Sequence, residues 1–112
     1  MIRGLLVVGF IVTLLLIVWT QKDQAGSAGI DGQWLYALHC AECHEKSHPE
    51  LHKQPPNLHG LFLAKSLPSG APATEVQVRK TIIEGRGTMP AFDRRLREEE
   101  VKGIVAYLRK LK

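Results

Sequence analysis

The sequence predicts an all-α domain, preceded by an apolar N-terminal segment and a short polar linker. Two C-terminal stretches, 74–84 and 96–111, combine helix-start residues with apolar positions three and four apart. Nowhere do apolar and polar residues alternate over the run that a half-buried strand needs. The intervening stretches are broken by proline and glycine, so they read as loops.

The N-terminal segment comes first. Gly4 to Trp19 is apolar apart from Thr13 and carries no charge. At 1.5 Å per residue it reaches roughly 24 Å, a little short of a hydrocarbon core of about 30 Å. Trp19 suits an interfacial position at the exit, and Arg3 lies on the side expected to face the cytoplasm. Residues 1–20 are therefore expected to be a retained membrane anchor. The alternative is a cleaved signal peptide, because Ala25-Gly26-Ser27 and Gly26-Ser27-Ala28 offer small-x-small sites. Residues 21–31 form a polar linker, whose root-mean-square span is about 18 Å if flexible.

What remains, 32–112, is a single small domain. At this size a hydrophobic core alone is marginal, so a covalent or cofactor staple is expected. Residues 31–40 read as a helix with Asp31 as N-cap. Lys46 to Gly60 contains Pro49, Pro55 and Pro56 and reads as a loop. Thr74 and Gln77 fit a capping box, opening a helix that stops at Gly85. In the last helix Glu98, Glu99 and Glu100 lie in the first turn, with Arg109, Lys110 and Lys112 at the end, which suits the macrodipole. Val101, Ile104, Val105, Leu108 and Leu111 give it an apolar face.

Net charge is +4 but unevenly placed. Residues 31–78 hold three Lys/Arg against five Asp/Glu, and 79–112 hold ten against five. This is not the basic stripe with interleaved aromatics that nucleic-acid binding needs, so no nucleic-acid partner is expected.

The chemistry concentrates in C-A-E-C-H, residues 40–44, which holds both cysteines of the chain. A redox dithiol would need this motif beside a strand of a βαβ unit. A zinc site would recruit Cys40, Cys43 and two of His44, His48, His52 and His59, yet the last three lie in a proline-broken loop. A disulfide across two residues closes too small a loop to stabilise much. The favoured reading is covalent haem attachment: C-x-x-C-H places two thioethers and an adjacent imidazole against one porphyrin.

A second iron ligand is needed for a closed site. His39 precedes Cys40 on the same helix and is expected to point away, and His48 and His52 read as solvated loop histidines. Met89 is favoured, because Gly85, Gly87 and Pro90 let a constrained loop approach a flat ligand. Alone it would read as a core methionine.

Four further pieces carry a resemblance. Gly32 and Tyr36 stand on the first helix of the domain; Pro56 to Phe62 reads P-N-L-H-G-L-F; Gly87 to Phe92 reads G-T-M-P-A-F; Ile104 to Leu108 reads I-V-A-Y-L. With C-A-E-C-H, these resemble class I c-type cytochromes over nearly all of 31–112. The resemblance implies a small cytochrome c fold, its N- and C-terminal helices packed around one covalently bound haem c, here preceded by one N-terminal transmembrane helix. It implies Cys40 and Cys43 as thioether positions, His44 and Met89 as iron ligands, and the Pro56 carbonyl as acceptor from His44. His59 is expected to tie loop backbone together. The stretch from Phe62 to Thr74 is shorter than in the mitochondrial form, and neither Trp19 nor Trp34 matches its propionate-binding tryptophan. Lys65, Ser66 and Arg86 are the candidates for that role.

A His/Met site leaves iron no open position, which suits electron transfer rather than catalysis. The expectation is a membrane-tethered carrier of single electrons, not an enzyme. Its expected partners are a membrane dehydrogenase, a quinol-oxidising complex or a terminal oxidase. The expected place is the bacterial cytoplasmic membrane, single-pass, with the haem domain facing the periplasm or cell exterior, where such haem attachment occurs. Alternatives are a fixed haem subunit of a larger oxidoreductase, and a haem sensor or peroxidase if Met89 dissociates. The basic residues Arg79, Lys80, Arg86, Arg94, Arg95 and Arg97 are candidates for docking acidic partners.

Overall fold

The computed structural model describes residues 29–112. The anchor expected at 1–20 and most of the linker lie outside the described residues. Among those described, no helix is long and apolar enough to cross a membrane.

Among the described residues four α-helices follow in order: α1 (Gly32–His39), α2 (Ala41–His44), α3 (Glu75–Glu84) and α4 (Glu98–Lys110), with a 3₁₀ turn at Leu61–Leu63. The described residues contain no named strand; Ser66 with Pro72 and Arg86 with Met89 form isolated bridges. The all-α expectation holds.

Local chemistry accounts for the helix ends. Asp31 caps α1, its Oδ1 accepting from the backbone N–H of Gln33 and Trp34 at 3.0 and 3.1 Å. Thr74 Oγ1 accepts from Gln77 N–H at 3.3 Å at the start of α3. Gln77 makes no return bond among the described hydrogen bonds, so half of the expected box is present. The last helix was expected from Leu96 but starts at Glu98. Leu96 instead closes a turn, its N–H donating to Phe92 O at 3.0 Å, and its side chain is buried. Arg97 is extended, and its N–H donates to Glu100 Oε2 at 2.8 Å.

The core forms where α1 crosses α4. Val101, Ile104, Val105 and Leu108 supply one face of α4, at the spacing of a single helical stripe. They pack with Leu35 and Tyr36 of α1, Val78 and Ile82 of α3, and Leu61, Leu67, Phe92 and Leu96 from the loops. Each such side chain contributes about 1.5–3 kcal/mol on burial. The crossing depends on a glycine: a Cβ on Gly32 would lie 2.0 Å from Gly103 O and 3.2 Å from Tyr107 Cβ. Beside this close approach the rings of Tyr36 and Tyr107 stack tilted, centroids 5.2 Å apart.

Polar links then tie the loops to this frame. Gly60 N–H donates to Leu111 O at 2.9 Å, and Phe92 N–H donates to Ile82 O at 3.1 Å. The first holds the P-N-L-H-G segment on the end of α4, and the second holds the methionine loop on α3.

Candidate functional site

The site grows from the α1–α2 junction. Cys40 ends α1 and precedes α2, and its carbonyl accepts from both Cys43 N–H (3.2 Å) and His44 N–H (2.9 Å). One tight turn therefore gathers Cys40, Cys43 and His44. Cys40 is half-buried and Cys43 exposed, and neither is in a disulfide. Burial pushes the Cys40 thiol up to about 11, with Cys43 adding to the effect. A redox dithiol needs the opposite shift, towards thiolate.

His44 is fixed from the other side. Its Nδ1 lies 2.7 Å from Pro56 O. A carbonyl can only accept, so Nδ1 carries the proton and Nε2 keeps its lone pair. This is the contact the resemblance implied, and it sets both tautomer and ring direction.

Met89 is half-buried against the core. Its loop is closed by reciprocal backbone bonds with Arg86, at 3.0 and 2.9 Å. Gly85 makes the loop possible: φ is +71°, and a Cβ there would lie 2.6 Å from Met89 O and 2.8 Å from Ala91 N. The backbone of 89–91 passes directly over a residue that has no side chain.

The remaining histidines are differently employed. His39 packs edge-on to Phe92, centroids 6.1 Å apart. His48 departs from the solvated role expected of it. It is half-buried, with Nδ1 3.0 Å from Glu50 Oε1 and Nε2 2.9 Å from Glu42 O. Gln54 reinforces it, its Oε1 accepting from His48 N–H at 2.8 Å. The histidine thus clips loop 46–54 to α2, a role hidden in sequence because its partners come from both sides of Pro49. His59 ties backbone as expected, with Nδ1 2.9 Å from Lys112 O and His59 N–H donating to Asn57 Oδ1 at 2.8 Å. Its Nε2 also lies 3.4 Å from Glu45 Oε1. Among the described residues no cluster of three or more His, Cys, Asp or Glu could hold a metal ion.

Glu45 was not singled out from sequence. It accepts from Tyr36 Oη at 3.0 Å, so Tyr36, Glu45 and His59 link α1, the residue after His44 and the Pro56 segment. Burial, then the Glu45 bond, holds the Tyr36 hydroxyl well above its ordinary value of 10, so it stays a donor. Tyr36→Phe should lower the stability of the haem-loaded protein by about 0.5–1.5 kcal/mol, the range for one net hydrogen bond. Denaturant unfolding checks this, and an unchanged midpoint would show the bond to be idle.

His48 gives a pH prediction. The Glu42 carbonyl, then the Glu50 carboxylate, raises its pKa above 6.5. The clip is therefore fully present below the unfolded value of about 6.5 and lost as pH rises through the raised folded value. NMR titration should find the His48 ring titrating above an ordinary histidine, and His48→Gln should remove that dependence from residues 46–54. A His48 pKa at or below 6.5 would refute the clip.

The basic cluster is partly consumed by structure. Arg79 pairs with Glu98 at 2.8 Å, and Arg97 pairs with Glu99 and Glu100 at 2.9 and 3.2 Å. Lys80, Arg86, Arg94 and Arg95 have no ion pair among the described residues. Arg86, Lys65 and Ser66 are all exposed.

The residues present fit a covalently attached haem: two unpaired cysteines on one turn, an adjacent imidazole with its outer nitrogen free, and a methionine in a rigid loop. The comparisons agree. A family model described as cytochrome c oxidase, cbb3-type, subunit III matches residues 28–108. Among solved structures, cytochrome c6 from the diatom Phaeodactylum tricornutum is similar at 29% identity and a TM-score of 0.52. The match covers 70% of this chain and 86% of that one. The fold and motif thus define a class I monohaem c-type cytochrome, an electron-transfer protein with one covalent haem c. Within that class, the chain belongs to the cbb3-type cytochrome c oxidase subunit III family.

Proposed function

We propose that this chain is a membrane-tethered carrier of single electrons, its haem domain (32–112) held by an anchor at 1–20 and a linker at 21–31. His44 and Met89 would hold the haem iron, and Cys40 and Cys43 would carry its thioether bonds. The observation that carries the site is the 2.7 Å contact from His44 Nδ1 to Pro56 O, which leaves the Nε2 lone pair free.

When bound, the haem supplies a one-electron iron couple. The chain's residues hold that couple in a fixed setting. Pro56 keeps the His44 ring oriented and basic, the Arg86–Met89 bridge fixes the opposite loop, and neither loop need move between oxidation states. A thioether and an imidazole together leave no position for substrate and favour a higher potential. The apolar run at 4–19 and the linker's reach of about 18 Å support a tether, which would raise effective concentration at membrane partners. The haem domain then faces the periplasm or cell exterior.

A terminal oxidase is the partner class that the family description favours, ahead of a membrane dehydrogenase or quinol-oxidising complex. The same description supports a second reading, a fixed haem subunit within an oxidase. Lys80, Arg86, Arg94 and Arg95 are the cations left for partner docking. Affinity isolation from solubilised membranes, with haem staining, tests both readings. A carrier comes away alone as a haem-stained band of full-chain mass, and a subunit co-purifies with its complex. A soluble, shortened, haem-stained band would overturn the tether.

A further inference from the structure

The outward face of α1 is unusual for a small domain. Counting 100° per residue, Gln33, Trp34, Ala37 and Leu38 fall in one contiguous sector, while Gly32, Leu35, Tyr36 and His39 face the core. Trp34 is 60% exposed and Leu38 56% exposed. The helix itself contains no Asp, Glu, Lys or Arg. Most such helices dress their outer face in charge.

The C-terminal end of this helix lies near an unpaired cation. His39 at the end of α1 meets the Phe92 ring at 6.1 Å, and the Arg95 guanidinium lies over that same ring at 5.8 Å. Arg94 is its neighbour, and neither arginine has an ion pair among the described residues. An exposed tryptophan and leucine on a helix whose end nears an unpaired arginine match the interface of an anionic bilayer, where indole sits at headgroup depth and arginine meets phosphate. The chain supplies the proximity: its apolar run ends at Trp19, thirteen residues before Gly32.

We propose that the outer face of α1, with Arg95 near its C-terminal end, docks on an anionic lipid surface and lays the haem domain against the membrane. This rests on the tethered reading above. Two apolar side chains bind lipid weakly alone, but a tether turns that weak contact into a local equilibrium. The domain would then alternate between a docked state, with α1 on lipid, and a free state within the linker's reach.

The test uses the full haem-loaded chain, reduced so that the iron is diamagnetic. It is placed in nanodiscs of phosphatidylcholine and phosphatidylglycerol carrying a gadolinium-chelate lipid. The amides of Gln33, Trp34, Ala37 and Leu38, and the Trp34 indole N–H, should broaden several-fold more than those of 48–53. The difference should vanish in a Trp34→Gln/Leu38→Gln variant and shrink in discs of phosphatidylcholine alone. Uniform broadening in a chain that has entered the discs overturns the docking and leaves the face to a protein partner. Vesicle flotation reports the tether separately: a chain that does not float overturns the tethered reading and this proposal with it. Concentration-dependent shifts of α1 without lipid would assign the face to a second copy, and also overturn it.

Discussion

Replacing Met89 by histidine should lower the reduction potential by roughly 0.2 V, since axial ligands tune haem potentials over about 0.8 V. The variant should keep its covalent haem, because Cys40, Cys43 and the turn that gathers them lie on other elements. It should also keep its loop, because the bonds joining residues 86 and 89 run through backbone atoms. Redox titration reads the shift. An unchanged potential would mean that Met89 is a core side chain. The competing histidines give little room for another ligand: both ring nitrogens of His48 and of His59 already have partners.

The largest effect on stability is expected at Gly32. A Cβ there would meet the Gly103 carbonyl at 2.0 Å, a contact with backbone that no rotamer relieves. Gly32→Val should therefore force α1 off α4 and destabilise the domain by about 3 kcal/mol or more, at the upper end for overpacking. For a domain of this size that is a drop in Tm of roughly 12–24 °C. Gly103→Ala is the informative contrast. Its Cβ would meet Ile30 Cγ2 at 2.8 Å, the far end of a side chain that can turn away. It should cost about 1 kcal/mol. Equal losses in thermal melts of the two variants would contradict the crossing as described. Most small domains have a total stability of only 5–15 kcal/mol, so the Gly32 variant should also lose protein in cells.

Much of this was legible in the sequence, for reasons that differ by residue. The helices could be read because their signals are local: an Asp at the cap, a stripe at three and four, a glycine at the stop. The cysteine pair, His44 and Met89 were legible because each sits in a short motif whose residue types have few other uses together. Pro56 could be placed only through the resemblance, since nothing local says that its carbonyl meets a ring twelve residues earlier. What stayed hidden depends on contacts between distant segments. His48 looked solvated until Glu42 and Gln54 closed around it, and Glu45 looked like one surface carboxylate among many. Which side of α1 faces outward stayed open, because composition does not say which side of a short helix meets its partner. Leu96 looked like the first helical residue, yet a turn to Phe92 claimed it.

The central claim is a closed His44/Met89 iron site built to pass single electrons. The optical spectrum of the oxidised full chain at neutral pH tests it most directly. The account predicts a low-spin spectrum with a methionine–iron charge-transfer band that disappears in Met89→His. A high-spin spectrum without that band in the unaltered chain would contradict it, because an iron with an open position belongs to a sensor or a peroxidase.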